Sequence, residues 1–188
     1  MMLPTLRGER IRIRPFRRSD AEVWGALAND PDVARYLPRM PHPVPSDAPP
    51  NWVREAHRAA RQDSAYKFAI ELGGKPGMIG VISLTCLNHQ DRNAEVGFWL
   101  GRQYWRNGYV TEALNLVLSF AFRDLNLHRV WALALGPNES SKRLLERAGF
   151  AREGVWREGC RMHNRWHDVC SYGILESEFR ALDSSPVD

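Results

Sequence analysis

Lysine is scarce in this chain. Lys67, Lys75 and Lys142 are the only lysines among 26 basic residues, and the rest are arginine. No Lys/Arg run is long enough to form a nucleic-acid-binding tail, so no DNA partner is expected. Cysteine is scarce too. Cys86, Cys160 and Cys170 are too few and too scattered for a disulfide framework. The longest apolar stretches fall far short of a bilayer, so no membrane partner is expected. The opening Met1-Met2-Leu3-Pro4-Thr5-Leu6-Arg7 lacks the apolar run of a secretory signal. Together these absences predict a cytoplasmic protein. There are no internal repeats.

What is present suits a single domain. The 188 residues are 44% apolar and 26% charged, with a formal net charge of +4, enough for both a core and a soluble surface. The arginines have forks that match phosphate geometry. A compositional bias is the better reading for most of them.

Period and punctuation give the order of elements. Residues 9–14 alternate strictly and end at Pro15, which predicts a half-buried strand with an arginine outer face. Ser19-Asp20-Ala21-Glu22 has the form of a capping box opening a helix to about Ala28. A short helical turn through Val33 and Tyr36 follows. The proline-rich stretch 38–50 reads as a loop, and residues 52–62 as a helix. Strands are expected at 66–72, 77–84 and 94–100. From Val110 the period becomes helical, with Val110, Ala113, Leu114, Val117, Leu118 and Ala121 on one stripe. A strand at 129–135 and a helix from Asn138 to Ala148 come next. Gly149 stands at the left-handed position of a Schellman stop. A hairpin of 152–160 and 166–175, turning at Asn164-Arg165, closes the fold before a polar tail from about 179 to 188. The strand–helix–strand unit in the middle implies a parallel pair. The expected fold is therefore α/β (α+β): one mixed, twisted sheet with helices on both faces.

Two blocks carry the chemistry. In the first, the strand Ala94-Glu95-Val96-Gly97-Phe98-Trp99-Leu100 runs into Tyr104-Trp105-Arg106-Asn107-Gly108-Tyr109-Val110-Thr111-Glu112-Ala113. A glycine-containing turn that opens a helix presents free N–H groups to an anion such as a pyrophosphate. Gly108 permits close backbone approach, and Arg106 can add a charge-assisted bond. The Lys-Ser/Thr of a triphosphate loop and the repeated glycines of a dinucleotide fingerprint are both missing. Alone, the turn fits many α/β folds. The second block is Asn138-Glu139-Ser140-Ser141 through Ala148-Gly149-Phe150.

Together the blocks resemble those of the GNAT acetyltransferases, in particular the RimJ/RimL-like branch of ribosomal-protein-alanine N-acetyltransferases. That branch often reads Tyr-Trp-Gly-Lys-Gly-Tyr-Ala-Thr-Glu-Ala at the turn and Asn-x-x-Ser…Gly-Phe in the second block. The opening residues 6–15 and the closing residues 153–169 are also similar, so the resemblance spans about residues 6–178. Arg106 and Asn107 replace the usual small and basic pair. Val110 replaces Gly or Ala, and its β-branch narrows the expected approach to the phosphates.

The resemblance implies an N-acetyltransferase that takes acetyl-CoA as co-substrate, without a metal. It places the cofactor on Phe98, Trp99, Leu100, Trp105, Arg106, Asn107, Gly108, Tyr109, Val110, Thr111, Asn138 and Ser141. The oxyanion donor is expected to be a backbone N–H near Phe98 to Leu100. Glu95 is the candidate base that frees the acceptor amine; an ordinary surface or ion-paired glutamate is the competing reading. Ser141 is the candidate hydrogen-bond donor to the departing thiolate, and its rival role is a polar residue in a first helical turn. Asn138 can bind the pantetheine amide, cap the helix, or do both.

The branch's best-known acceptor is a protein N-terminus, with small amines such as amino acids, polyamines or antibiotics as alternatives. Arg39, Met40 and His42 of the proline-rich loop are candidate acceptor contacts. By analogy with related enzymes, a homodimer through the terminal hairpin is a further expectation. A CoA-sensing module and an RNA- or ribosome-binding module remain as readings of another class.

Three further features of the sequence have more than one reading. Cys160-x2-His163-x3-His167-x2-Cys170 has zinc-ligand types. A turn at Asn164-Arg165 would pair His163 with His167 and Cys160 with Cys170, and the odd offset between 160 and 163 sends them to opposite faces. Cys86 has no evident base partner and reads as a core or edge thiol. His167-Asp168 reads as a structural or substrate-lining feature.

Overall fold

The computed structural model describes residues 3–183. Strands β1 (Leu6–Arg7) and β2 (Ile11–Arg14) precede helices α1 (Asp20–Ala28), α2 (Pro31–Ala34) and α3 (Ala48–Arg61). A meander of β3 (Tyr66–Leu72), β4 (Met78–Asn88) and β5 (Asn93–Leu100) follows. A 3-10 turn, Arg102–Tyr104, leads into α4 (Tyr109–Ser119), which runs on as a π-helical turn, Phe120–Asp124. Then come β6 (Arg129–Leu135), α5 (Glu139–Arg147), β7 (Ala151–Met162), β8 (Arg165–Leu175) and α6 (Glu176–Asp183). The eight strands form one sheet in the order β1-β2-β3-β4-β5-β6-β8-β7. Among the described residues only β5 and β6 are parallel neighbours.

Alternation along the strands divides two cores. Phe68 and Ile70 of β3, Ile82 and Leu84 of β4, and Ala94 and Val96 of β5 pack with Leu114, Val117 and Leu118 of α4. On the opposite face, Ala69, Val81 and Trp99 pack with Trp24 of α1 and Val53 and Ala56 of α3. The expected helices on both faces of a mixed sheet are present. No helix among the described residues is long and apolar enough to cross a membrane.

Several local expectations are corrected. Ser19 makes no cap bond. The neighbouring Asp20 instead accepts the Arg17 N–H at 2.6 Å and pairs with Arg14 at 2.7 Å. Arg14 is not on an outer face: it is 3% exposed and also bonds Glu71, itself fully buried. This network ties β2, β3 and α1 together. Pro49 and Pro50 do not extend the loop, because both fit the first turn of α3, where no intrahelical N–H is needed. The expected tail is partly the helix α6, whose Phe179 packs on Phe122 at 5.3 Å.

The terminal hairpin turns one residue early, at His163 and Asn164, both with positive φ. Together with an irregularity between Trp156 and Cys160, this sets Cys160 opposite His167, and Cys170 opposite Val155. Elsewhere the stop signal works as read. The Gly149 N–H bonds Glu146 O at 3.1 Å and the Phe150 N–H bonds Leu145 O at 3.0 Å, the paired bonds of a Schellman motif.

Candidate active site

The sheet splits at its parallel seam. β5 and β6 pair at Asn93, Ala94 and Glu95, opposite Arg129, Val130 and Trp131. Beyond that point β5 follows β4 as far as Leu100, and β6 follows β8 as far as Leu135. The facing edges of residues 96–100 and 132–135 are left without each other. The Gly101 N–H bonds Ile79 O of β4 at 2.9 Å. Alternation therefore aims the N–H groups of Phe98 and Leu100 into the split. Trp99 faces the other way: its backbone turns to β4, and its indole lies 6.3 Å from Trp24.

The turn after β5 is built from its own polar groups. The Trp105 indole N–H closes on Leu100 O at 2.9 Å, and Asn107 Nδ2 bonds Trp105 O at 2.9 Å. Arg106 has φ of 62° and is exposed. Gly108 caps α4 with φ of 76°, a conformation that costs glycine little. The first backbone bond of the helix runs from Glu112 N to Gly108 O at 3.2 Å. The N–H groups of Tyr109, Val110 and Thr111 precede it, in the position where a helix receives an anion. Val110 is half-buried and packs against the core under α4.

One contributor is absent from the sequence reading. Arg10 bonds Asn107 O through Nη1 at 2.9 Å, and its ring partner is Tyr109, 5.5 Å from the guanidinium carbon. Its Nη2 lies 3.2 Å from where a β-carbon on Gly108 would sit. The contact spans 97 residues, and no local pattern announces it.

Glu95 is 7% exposed and stands on the α1–α3 face, just where the pairing of β5 with β6 ends. Its Oε2 accepts from Arg39 Nη1 at 3.1 Å and from Cys86 Sγ at 3.6 Å. The Cys86 thiol is held above its usual range, first by desolvation of the sulfur, although the residue as a whole is exposed, and then by the Glu95 carboxylate. On the far side of the split, Asn138 caps α5 by accepting the Ser141 N–H at 3.1 Å. The capping role left open by the sequence is thus filled, and it fixes Ser141 in the first turn. Asp168 accepts the Glu158 N–H at 2.8 Å, and its carbonyl accepts the Gly136 N–H at 2.7 Å, which anchors the end of β6.

A mixed sheet that parts at its parallel seam, beside a helix start whose N–H groups are free of helix partners, is an arrangement able to take an extended anionic ligand across its middle. Residues 10–151 match the acetyltransferase (GNAT) domain, and the chain belongs to that family. It is an N-acetyltransferase, and the enzymes of this family use acetyl-CoA. The N-acetyltransferase p20 of Bacillus licheniformis is 28% identical over 94% of this chain and 99% of its own. A GNAT-family acetyltransferase from Bacillus anthracis superposes with a TM-score of 0.82 at 28% identity, covering 93% of this chain and 100% of its own.

Two more distant structures share the fold. RimL, the ribosomal L7/L12 α-N-protein acetyltransferase in complex with coenzyme A, has a TM-score of 0.83 at 17% identity, over 92% of this chain and 98% of its own. The spermidine N-acetyltransferase of Vibrio cholerae, in complex with CoA and spermine, has a TM-score of 0.80 at 24% identity, over 90% and 98%.

Proposed function

We propose that this enzyme transfers the acetyl group of acetyl-CoA directly to an α-amino group at a protein N-terminus, with Glu95 as base and Ser141 as donor to the leaving sulfur. The observation that carries the reading is the split between β5 and β6, with Glu95 where their pairing ends and the start of α4 beyond it. Acetyl-CoA supplies the activated thioester. The N–H groups of residues 109–111 suit its phosphates, with Gly108 and Arg10 beside them. The edges of β5 and β6 suit the pantetheine, which can add as a strand does.

The chemistry asks little more of the chain. A neutral amine attacks the thioester carbonyl, and Glu95 takes up the amine's proton. An α-amino group has a pKa near 8, so a carboxylate working directly or through water suffices. N–H groups of Phe98 and Leu100 suit the oxyanion that develops on the carbonyl. The Ser141 hydroxyl hydrogen-bonds the departing sulfur.

A single-ammonium acceptor fits the acceptor side better than a polyamine does. A polyamine needs a row of available carboxylates, whereas among the described residues the buried carboxylates other than Glu95, namely Asp20 and Glu71, pair with Arg14, and Asp32 holds both Arg35 and Arg102. RimL supports a protein acceptor by shared fold, and the spermidine enzyme keeps the polyamine as the second reading.

The test is thiol release from acetyl-CoA with two probes, an alanine-initiated decapeptide and spermidine. Preference for the peptide, with a drop of about 100-fold in kcat for Glu95→Gln, is expected. Preference for spermidine would replace the acceptor assignment, and full turnover by Glu95→Gln would remove the base.

A further inference from the structure

Glu95 carries a cation that belongs to the protein itself. Its side chain is 9% exposed, yet its partner Arg39 is 73% exposed and comes from a loop 56 residues earlier in the chain. No regular element holds that loop between α2 and α3. Cys86 reaches the same carboxylate oxygen by a different route. Thr85 pairs with Glu95, so a regular ladder would send Cys86 to the opposite face. The bulge between Thr85 and Asn88, with φ of 51° at Cys86, turns the thiol back toward Glu95. Oε2 is therefore met by one permanent neighbour on a sheet strand and one removable neighbour on a loop.

A guanidinium and an alkylammonium are the same kind of ligand for a carboxylate, since both are cationic N–H donors. A buried carboxylate without a cation is costly, whereas an ion pair with an exposed arginine is weak and easily exchanged. We propose that Arg39 is a built-in stand-in for the acceptor amine, seated on Glu95 in the empty enzyme and displaced by the incoming ammonium. Acceptor selection is then an exchange of one cation for another, and Arg39 is a specificity-determining residue. The inference rests on Glu95 facing the acceptor, as in the proposed function.

Cys86 provides a readout that needs no knowledge of the acceptor. Cys160→Ser protein retains Cys86 as its exposed thiol, because Cys170 is buried. Its labelling by neutral methyl methanethiosulfonate is followed against rising ethylammonium chloride, with sodium chloride at matched ionic strength as control. Cys86 stays exposed with the Arg39 guanidinium on Glu95, so protection reports the ethyl group of a seated ethylammonium lying over the thiol. In the Arg39→Gln variant, half-protection should need about tenfold less ethylammonium, the change expected if Arg39 fills the site about nine-tenths of the time. In Glu95→Gln, protection should vanish.

Equal half-protection with and without Arg39 overturns the proposal. So does protection that survives Glu95→Gln, or a Cys86 that the reagent never reaches. Loss of the base assignment reads out separately. It would appear as full acetyl transfer by Glu95→Gln, while the labelling pattern stayed as expected.

Discussion

Arg10 and Glu112, 102 residues apart, lock the start of the sheet to the first turn of α4. Glu112 Oε1 accepts the Arg10 N–H at 2.8 Å and the Ile11 N–H at 3.3 Å, while Oε2 pairs with Arg10 Nε at 3.1 Å. The carboxylate thus does for the start of β2 what a backbone partner would do. It also aims the rest of the guanidinium at Asn107 and Gly108. Glu112→Ala should cost about 1–3 kcal/mol of stability, the range for stranded backbone donors. It should also raise the KM for acetyl-CoA, because Arg10 loses its anchor. Arg10→Ala should raise that KM with a smaller loss of stability. Chemical denaturation and acetyl-CoA titration separate the two effects, and an unchanged KM in both variants would leave Arg10 with a structural role only.

Gly108 takes a conformation that a β-branched residue adopts poorly, and its missing side chain leaves room beside Arg10. Gly108→Val should reduce acetyl-CoA affinity by about tenfold or more. Folding should suffer only by about 1–2 kcal/mol, the cost of one left-handed residue. Isothermal titration alongside a thermal melt is the measurement. A folded variant with parental affinity would move the phosphate site away from this turn.

Ser141 and Asn138 can be separated because the cap uses only the Ser141 backbone. Ser141→Ala should lower kcat by about 100-fold, within the usual range for a positioned proton donor. The KM for acetyl-CoA and the melting temperature should stay near the parent's. Asn138→Ala should instead cost about 1 kcal/mol of stability, as lost N-caps do. Parental kcat in Ser141→Ala would leave the hydroxyl as a polar residue in a helix turn.

What could be read ahead follows from which forces are local. The spans of β3 and β6 and the stop of α5 match expectation, because apolar period and a glycine at positive φ act within a few residues. The parallel seam was also legible, since a strand–helix–strand unit forces it. The contacts of Glu95 were not. Arg39 and Cys86 meet it through a loop of irregular backbone and a bulge, and neither leaves a periodic trace. The same reason hid Arg10. The hairpin register was missed by three residues at Cys160, which faces His167 and not Cys170, because non-glycine residues at positive φ, His163 and Asn164, made the turn, and the irregularity between Trp156 and Cys160 shifts the pairing again. Ser19 and Asp20 misled in the other direction: the residue types fit a cap, but Arg14 claimed the carboxylate.

That same cluster sets an acid limit on the fold. Burial alone would push the Glu71 carboxyl up. Hydrogen bonds from Arg14, the Gly77 N–H and Arg12 outweigh it and bring the group from 4.5 down to about 2. Because the folded value lies below the unfolded one, the stabilisation is complete above about pH 4.5 and is lost as pH falls toward 2. The unfolding free energy should therefore decline by a few kcal/mol across that window. Glu71→Gln should be less stable by about 3–5 kcal/mol at neutral pH, since it leaves Arg14 buried beside a neutral amide with only Asp20 to balance it. It should also show a shallower decline between pH 4.5 and 2. Urea denaturation of both proteins from pH 7 to 2.5 measures this, and parallel curves would mean that other carboxylates, not Glu71, set the acid sensitivity.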